Sequence, residues 1–262
     1  MLIIYLIIGA FAGIMSGLFG LGGGVIVIPA LSAVFLHYTS IPREFSMQMA
    51  VGTSLAIMIS TSLSALYAHH KRQAVRWDMF RLMLPGLMLG AMIGVLIVHY
   101  LPSSWLQIIF GLFLILVGLR MLFNHTYNTS ETSLSLRLVR ISSLLIGILS
   151  SILGVGGGTL IVPFLLRCQL DMRKATGTSI ACGLSIGIVA TLCFMITGFF
   201  SAQKASWSTG YIYWPAFLGV AVASTLLAPV GAILAHNLPK EILKRFFGLF
   251  LLLIACDMLF FK

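Results

Sequence analysis

Four stretches of this chain hold no Asp, Glu, Lys or Arg, and each is longer than a bilayer crossing requires. They run over residues 1–42, 82–119, 175–203 and 205–239. A helix crosses a hydrocarbon core of about 30 Å with about 20 apolar residues. Only helices and closed barrels satisfy their own backbone polar groups in lipid. Charged residues are 8% of the whole and hydrophobic residues 60%, against roughly a quarter charged in soluble domains. The expected fold is therefore an all-α polytopic membrane protein, with the lipid bilayer as its first partner. No polar segment is long enough to build a separate domain. The first apolar run lacks a basic leader and a small-residue cleavage site, so it is expected to stay rather than be removed as a signal peptide.

A net charge of +10 would suit nucleic acid, but the cations sit in short loops between apolar runs and form no patch with interleaved aromatics. No nucleic-acid partner is expected. Cys168, Cys182, Cys193 and Cys256 have no ligand spacing and read as small apolar packers. No metal, cofactor or catalytic residue is expected, and the sequence sets no oligomeric state.

The chain repeats itself. Gly13-Ile-Met-Ser-Gly-Leu-Phe-Gly20-Leu-Gly22-Gly23-Gly24-Val-Ile-Val-Ile-Pro29 returns as Gly147-Ile-Leu-Ser-Ser-Ile-Leu-Gly154-Val-Gly156-Gly157-Gly158-Thr-Leu-Ile-Val-Pro163. Gly52-Thr53-Ser54 returns as Gly177-Thr178-Ser179. Trp77 and Pro85 match Trp207 and Pro215 at one spacing; His99, Leu101-Pro102 and Gly111 match His236, Leu238-Pro239 and Gly248 at another. Several motifs in one order mark a duplication. It divides the chain into a first repeat, 1–124, a polar linker, 125–137, and a second repeat, 138–262. Each repeat reads as a Gly-broken opening segment (2–37 and 138–167) followed by three plain helices. Those helices are expected near 45–68, 79–99 and 104–123, then 174–199, 210–235 and 241–261.

The loop cations orient the chain. If each opening segment crosses once, the sixteen Lys and Arg divide almost evenly between the two sides. If each folds back at its glycines as a hairpin, thirteen fall on one side and only Arg43, Lys204 and Lys262 on the other. Positive-inside bias selects the hairpins, whether re-entrant or fully spanning. A returning hairpin plus three crossings is an odd number of side changes, so the second repeat lies inverted against the first, an architecture common among secondary transporters. Both termini are then expected outside the cytoplasm, on the periplasmic or extracellular face of an inner membrane.

Three successive glycines cost roughly 1 kcal/mol each inside a helix, and non-helical backbone survives in lipid only where protein buries it or a cavity receives it. Gly22, Gly23, Gly24 and Gly156, Gly157, Gly158 are thus the expected breaks. The helix restarting after each break would offer free N–H groups and a positive dipole end to an anion. Close packing of glycines is the plainer reading. Thr53, Ser54, Thr178 and Ser179 supply neutral hydroxyls that suit an oxyanion, although serine and threonine in helices often bond a neighbouring carbonyl. These ten residues are the candidate substrate contacts. His69, His70, His99 and His236 read as interfacial anchors. The acids lie in loops or at helix ends, with Asp257 near the end of the last apolar run. No central carboxylate, the usual mark of cation coupling, occurs.

The duplicated glycine–proline pattern, the Gly-Thr-Ser element and the Trp–Pro spacing resemble the TauE/SafE family of sulfite and organosulfonate exporters, over essentially the whole chain. Ser151 departs from that pattern where the first copy has Gly17, as does Ser206 before Trp207. The resemblance implies transport of sulfur-containing or related organic anions. The leading expectation is a secondary transporter of a small anion; an anion channel or a membrane assembly subunit is the alternative. Gly13-x-x-Ser16-Gly17 has the wrong spacing for a serine nucleophile, which argues against an enzyme.

Overall fold

The computed structural model describes residues 1–19, 23–39, 41–123, 135–199, 206–237 and 240–260. It is predominantly helical, as the apolar runs require. The first opening segment forms α1 (Leu2–Phe19) and α2 (Gly24–Tyr38). A single 3-10 turn, Arg43–Phe45, leads into α3 (Ser46–Lys71), α4 (Trp77–Tyr100) and α5 (Ser103–Leu122). The second opening segment forms α6 (Leu136–Ile152) and α7 (Gly157–Arg167). There follow α8 (Met172–Phe199), a small antiparallel ribbon of β1 (Ser208–Thr209) and β2 (Ile212–Tyr213), α9 (Trp214–Asn237) and α10 (Lys240–Phe260). Most of the expected polar linker lies outside the described residues.

Among the described residues, five helices are long and apolar enough to cross a membrane: Arg43–Lys71, Trp77–Tyr100, Ser103–Leu122, Met172–Phe199 and Trp214–Gly231. The opening segments are broken into shorter pieces. With 11 residues, α7 is about 16 Å long and cannot cross alone. Large apolar side chains such as Leu63, Leu116, Leu226 and Leu253 cover the exterior, the arrangement a lipid solvent favours. Inside, Phe35, Leu55, Ile186 and Phe194 are fully buried around α3 and α8.

Two features differ from the sequence expectation. Helix α9 begins at Trp214, and Trp207 sits in the turn ahead of β1. Trp207 and Gly210 both have positive φ, 66° and 60°, which folds the ribbon too tightly for a helix. The Trp214 indole Nε1 donates to Thr209 Oγ1 at 2.9 Å. At the spacing that relates His99 to His236, Trp77 corresponds to Trp214, and each is the first residue of its helix. The Trp77–Trp207 match is therefore corrected to Trp77–Trp214.

Helices of the two halves interlock. Helix α1 packs against α9, and α6 against α4. Both pairs run parallel at close range. A methyl group on Gly13 would lie 2.6 Å from the Ser224 carbonyl oxygen, and one on Gly147 would lie 2.5 Å from that of Leu87. Such approaches are the use that membrane helices make of small residues. The α3–α8 and α5–α10 pairs also pack, and these run antiparallel. Gly52 abuts Phe194 while Gly187 abuts Met58, and Gly111 abuts Leu259 while Gly118 abuts Gly248.

Candidate functional site

The break in each opening segment brings backbone to the centre of the bundle. Gly24, the first residue of α2, lies against the Gly154 carbonyl oxygen; a methyl group there would also sit 3.1 Å from Ser54 Oγ and 3.2 Å from Val155 Cα. Ser54 in turn donates its hydroxyl to the Gly154 carbonyl at 3.0 Å. The start of α2, the loop between α6 and α7 and the first half of α3 therefore meet at one point.

Local chemistry explains the loop. Gly154 has φ +57°, a left-handed conformation that glycine takes without steric cost. Val155 N–H donates to the Ser150 carbonyl at 3.1 Å, and Ser150 Oγ donates back to the Val155 carbonyl. This reciprocal pair closes the turn. Gly156 then caps α7 in an extended conformation, beside Met58 Sδ. The first N–H groups of a helix lack an i−4 partner within it, and among the described residues no side chain caps the start of α2 or of α7. Pro29 and Pro163 sit one turn and a half inside these helices. Lacking an N–H, each leaves a carbonyl near the helix start without its usual bond.

The Gly-Thr-Ser elements prove to be clasps as well. Thr53 Oγ1 accepts from Tyr213 N–H at 3.1 Å, and Thr178 Oγ1 accepts from Arg76 N–H at 3.0 Å. Tyr213 and Arg76 are the residues immediately before α9 and α4. Gly52 allows the Tyr211 carbonyl to approach, and Gly177 does the same for Ala74. Ser179 donates to the Thr176 carbonyl at 2.8 Å, one turn back. All four hydroxyl residues are buried, with Thr53 and Thr178 at 0% exposure.

Of the ten residues singled out in the sequence, Gly24 and Ser54 are brought together. Gly157 and Gly158 open α7, and Gly22 lies outside the described residues. Among the described residues, Gly23 faces Val27 and Ala12 at ordinary contact distance. Sequence reasoning missed Gly154, Val155 and Ser150, although the repeat contained them, because only the glycine triplets were weighed. It also missed three buried hydroxyls, Tyr5 Oη, Ser151 Oγ and Thr191 Oγ1, which have no hydrogen-bond partner among the described residues.

No charged side chain of the described residues enters this region. The ion pairs lie at the surface: Arg76 with Asp78 at 2.5 Å and Lys174 with Asp171 at 3.5 Å. The hydrogen bond to Asp78 raises the Arg76 pKa further above its ordinary value, so it stays a cation at every accessible pH. Arg173 donates to the Arg72 carbonyl at 3.2 Å, tying the start of α8 to the α3–α4 turn. At the other end of the bundle, His99 Nδ1 is 3.1 Å from the Tyr211 hydroxyl. Among the described residues, no group of three His, Cys, Asp or Glu could hold a metal.

A bundle of apolar spans around broken, hydroxyl-lined segments defines a multi-pass membrane transporter. The chain belongs to the sulfite exporter TauE/SafE family, whose pattern matches residues 5–258. A probable membrane transporter protein of Haemophilus influenzae is 33% identical over 258 residues, covering 98% of this chain and 97% of that protein. Another from Methanocaldococcus jannaschii is 29% identical over 227 residues, covering 86% and 80%. The probable membrane transporter protein YunE of Bacillus subtilis is 25% identical over 286 residues, covering 98% and 97%. No solved structure matches the chain.

Proposed function

We propose that this chain is a secondary transporter that carries small sulfur-containing or related organic anions, of the sulfite and sulfonate class, across an inner membrane. Its two halves, 1–124 and 138–262, are inverted repeats joined by the linker 125–137, and both termini lie on the periplasmic side. What supports the inversion is the antiparallel sense of α3 with α8 and of α5 with α10, each helix beside its own repeat counterpart. The substrate path runs where the α2 and α7 starts approach Ser54. Gly22 to Gly24, Gly156 to Gly158 and the hydroxyls of Thr53, Ser54, Thr178 and Ser179 line it or hold its walls.

The reading is carried by one observation, the meeting of Gly24 with the Gly154 loop over Ser54. An anion bound there takes its hydrogen bonds from neutral backbone N–H groups, joined by the Ser54 hydroxyl once it turns away from the Gly154 carbonyl. Each such bond to a charged group is worth about 1.5–3 kcal/mol. Several of them hold an oxyanion without a buried cation, whose much deeper well would slow release. Rocking of one half against the other then opens the site to alternate faces.

The test is uptake by proteoliposomes loaded with sulfite, thiosulfate, alkyl sulfonates or short carboxylates. Saturable counterflow of a sulfur oxyanion is the expected result. Flux that never saturates would make the protein a channel, and no flux with any of the set would remove the substrate class proposed.

A further inference from the structure

A cavity of about 350 Å³ opens between α1, α2 and α10, on the outside of the bundle. Its floor is Ile26 and Pro29 of α2, both buried, and its walls are Ile7 and Phe11 of α1 with Ile254 of α10. Phe11 and Phe250 meet edge to face at 5.5 Å and close one end. Ile7 is 63% exposed and Phe11 40%, so the groove faces the bilayer rather than the protein interior. One lining residue is charged, Asp257.

The acid stands out on three counts. It is exposed at the groove's rim, and among the described residues it has no ion pair. It lies three residues before Phe260, the last described residue of α10, about 5 Å along the axis, which the proposal below sets at the level of lipid headgroups. The fold does not demand it either. At the spacing that relates Gly111 to Gly248, Asp257 corresponds to Arg120 of α5, a correspondence that rests on the proposed duplication. The charge at this point of the fold is therefore a property of this groove and not of the helix pair.

We propose that this groove is a lipid site, in which one acyl chain of an ammonium-headed phospholipid occupies the apolar cleft and Asp257 holds the ammonium. The cleft is wide enough for a chain of methylenes and too small for a folded domain. An acyl chain buries the apolar walls that no protein group covers. The carboxylate supplies the matching charge and repels anionic headgroups. Small Ala30, in the lining of the cleft, leaves room for the chain.

The experiment is native mass spectrometry of the full-length protein in mild detergent, with phosphatidylethanolamine and phosphatidylglycerol of matched chains added in equal amounts. Wild type is expected to retain phosphatidylethanolamine about threefold to fivefold over phosphatidylglycerol, the scale of one partly exposed ion pair. Asp257→Asn should level the two lipids while leaving some of both bound. Ala30→Leu, which narrows the cleft, should lower retention of both. Equal retention by wild type, or a preference that survives Asp257→Asn, would overturn the proposal. A dimer that Ala30→Leu dissolves, with no lipid bound, would give the groove to a second copy and overturn it too. Lipid retention is read without any flux, so this outcome is independent of the transported substrate.

Discussion

Neighbouring glycines in one triplet carry unequal loads. A methyl group on Gly23 would meet Val27 at 3.7 Å and Ala12 at 3.9 Å, both ordinary contacts. Its φ of −58° and ψ of −19° suit any residue. Gly23→Ala is therefore expected to fold as wild type does and to lose much less flux than Gly24→Ala. It should stabilise the protein by about 0.4–1 kcal/mol, by restricting the unfolded chain. Gly24→Ala drives a methyl into the Gly154 carbonyl, which is backbone and cannot swing aside. It should cut flux by about tenfold or more, the α2 start being forced off Ser54. Thermal unfolding in detergent and counterflow in liposomes measure the two. Equal behaviour of the two variants would mean that the break points do not meet in the working protein. The triplet itself was legible in the sequence, since three successive glycines weaken an apolar helix too much to persist there without a use. The rank of its members was not, because it depends on a loop 130 positions away in the chain.

At the scale of elements, the Gly-Thr-Ser motifs act as fasteners between helices. Each threonine accepts the N–H of the residue preceding a long helix, Tyr213 before α9 and Arg76 before α4. Each glycine lets that same connecting segment come close. Thr53→Val and Thr178→Val keep the shape and take the acceptor from a part-buried N–H. Each should lower stability by about 0.5–1.5 kcal/mol, whereas Thr53→Ser and Thr178→Ser should lose much less. Denaturation monitored by tryptophan fluorescence gives the comparison; if valine and serine variants unfold alike, the hydrogen bonds carry no weight. Helix existence was legible throughout, because charge-free runs in lipid have one structural solution. The start of α9 was not: the expected helix opened at 210, inside the ribbon, and the observed one opens at Trp214. Two positive-φ residues, Trp207 and Gly210, fold that ribbon back, and nothing in the apolar pattern announces them. The clasps were invisible for a related reason: a hydroxyl's partner lies on another helix, and spacing along the chain carries no record of it.

For the whole molecule, the direction of each helix is what matters. Counting loop cations put thirteen of the sixteen Lys and Arg on one face, and the contacts supply an independent constraint. Helix α3 lies antiparallel to α8, and α5 to α10, so under the proposed duplication each helix meets its counterpart head to tail; α1 with α9 and α6 with α4 run the same way. A pair of repeats with the same orientation would make the first two contacts parallel. The proposed inversion accounts for both kinds of contact at once, and under it the loops fall into set compartments. Arg43 lies between α2 and α3, and Arg76 between α3 and α4, one crossing apart. Cysteines placed at these two positions, in a background whose native cysteines are replaced by alanine, should react with a membrane-impermeant maleimide from opposite sides of intact cells. The position of Arg43 should be labelled from outside, and that of Arg76 only after the membrane is opened. The same experiment at Lys204 and Arg173 should repeat the pattern across α8, with Lys204 outside. Labelling of both members of either pair from one side would break the inversion. It would also remove the reason for α2 and α7 to enter the bilayer from opposite faces, and with it the alternating-access site proposed between their starts.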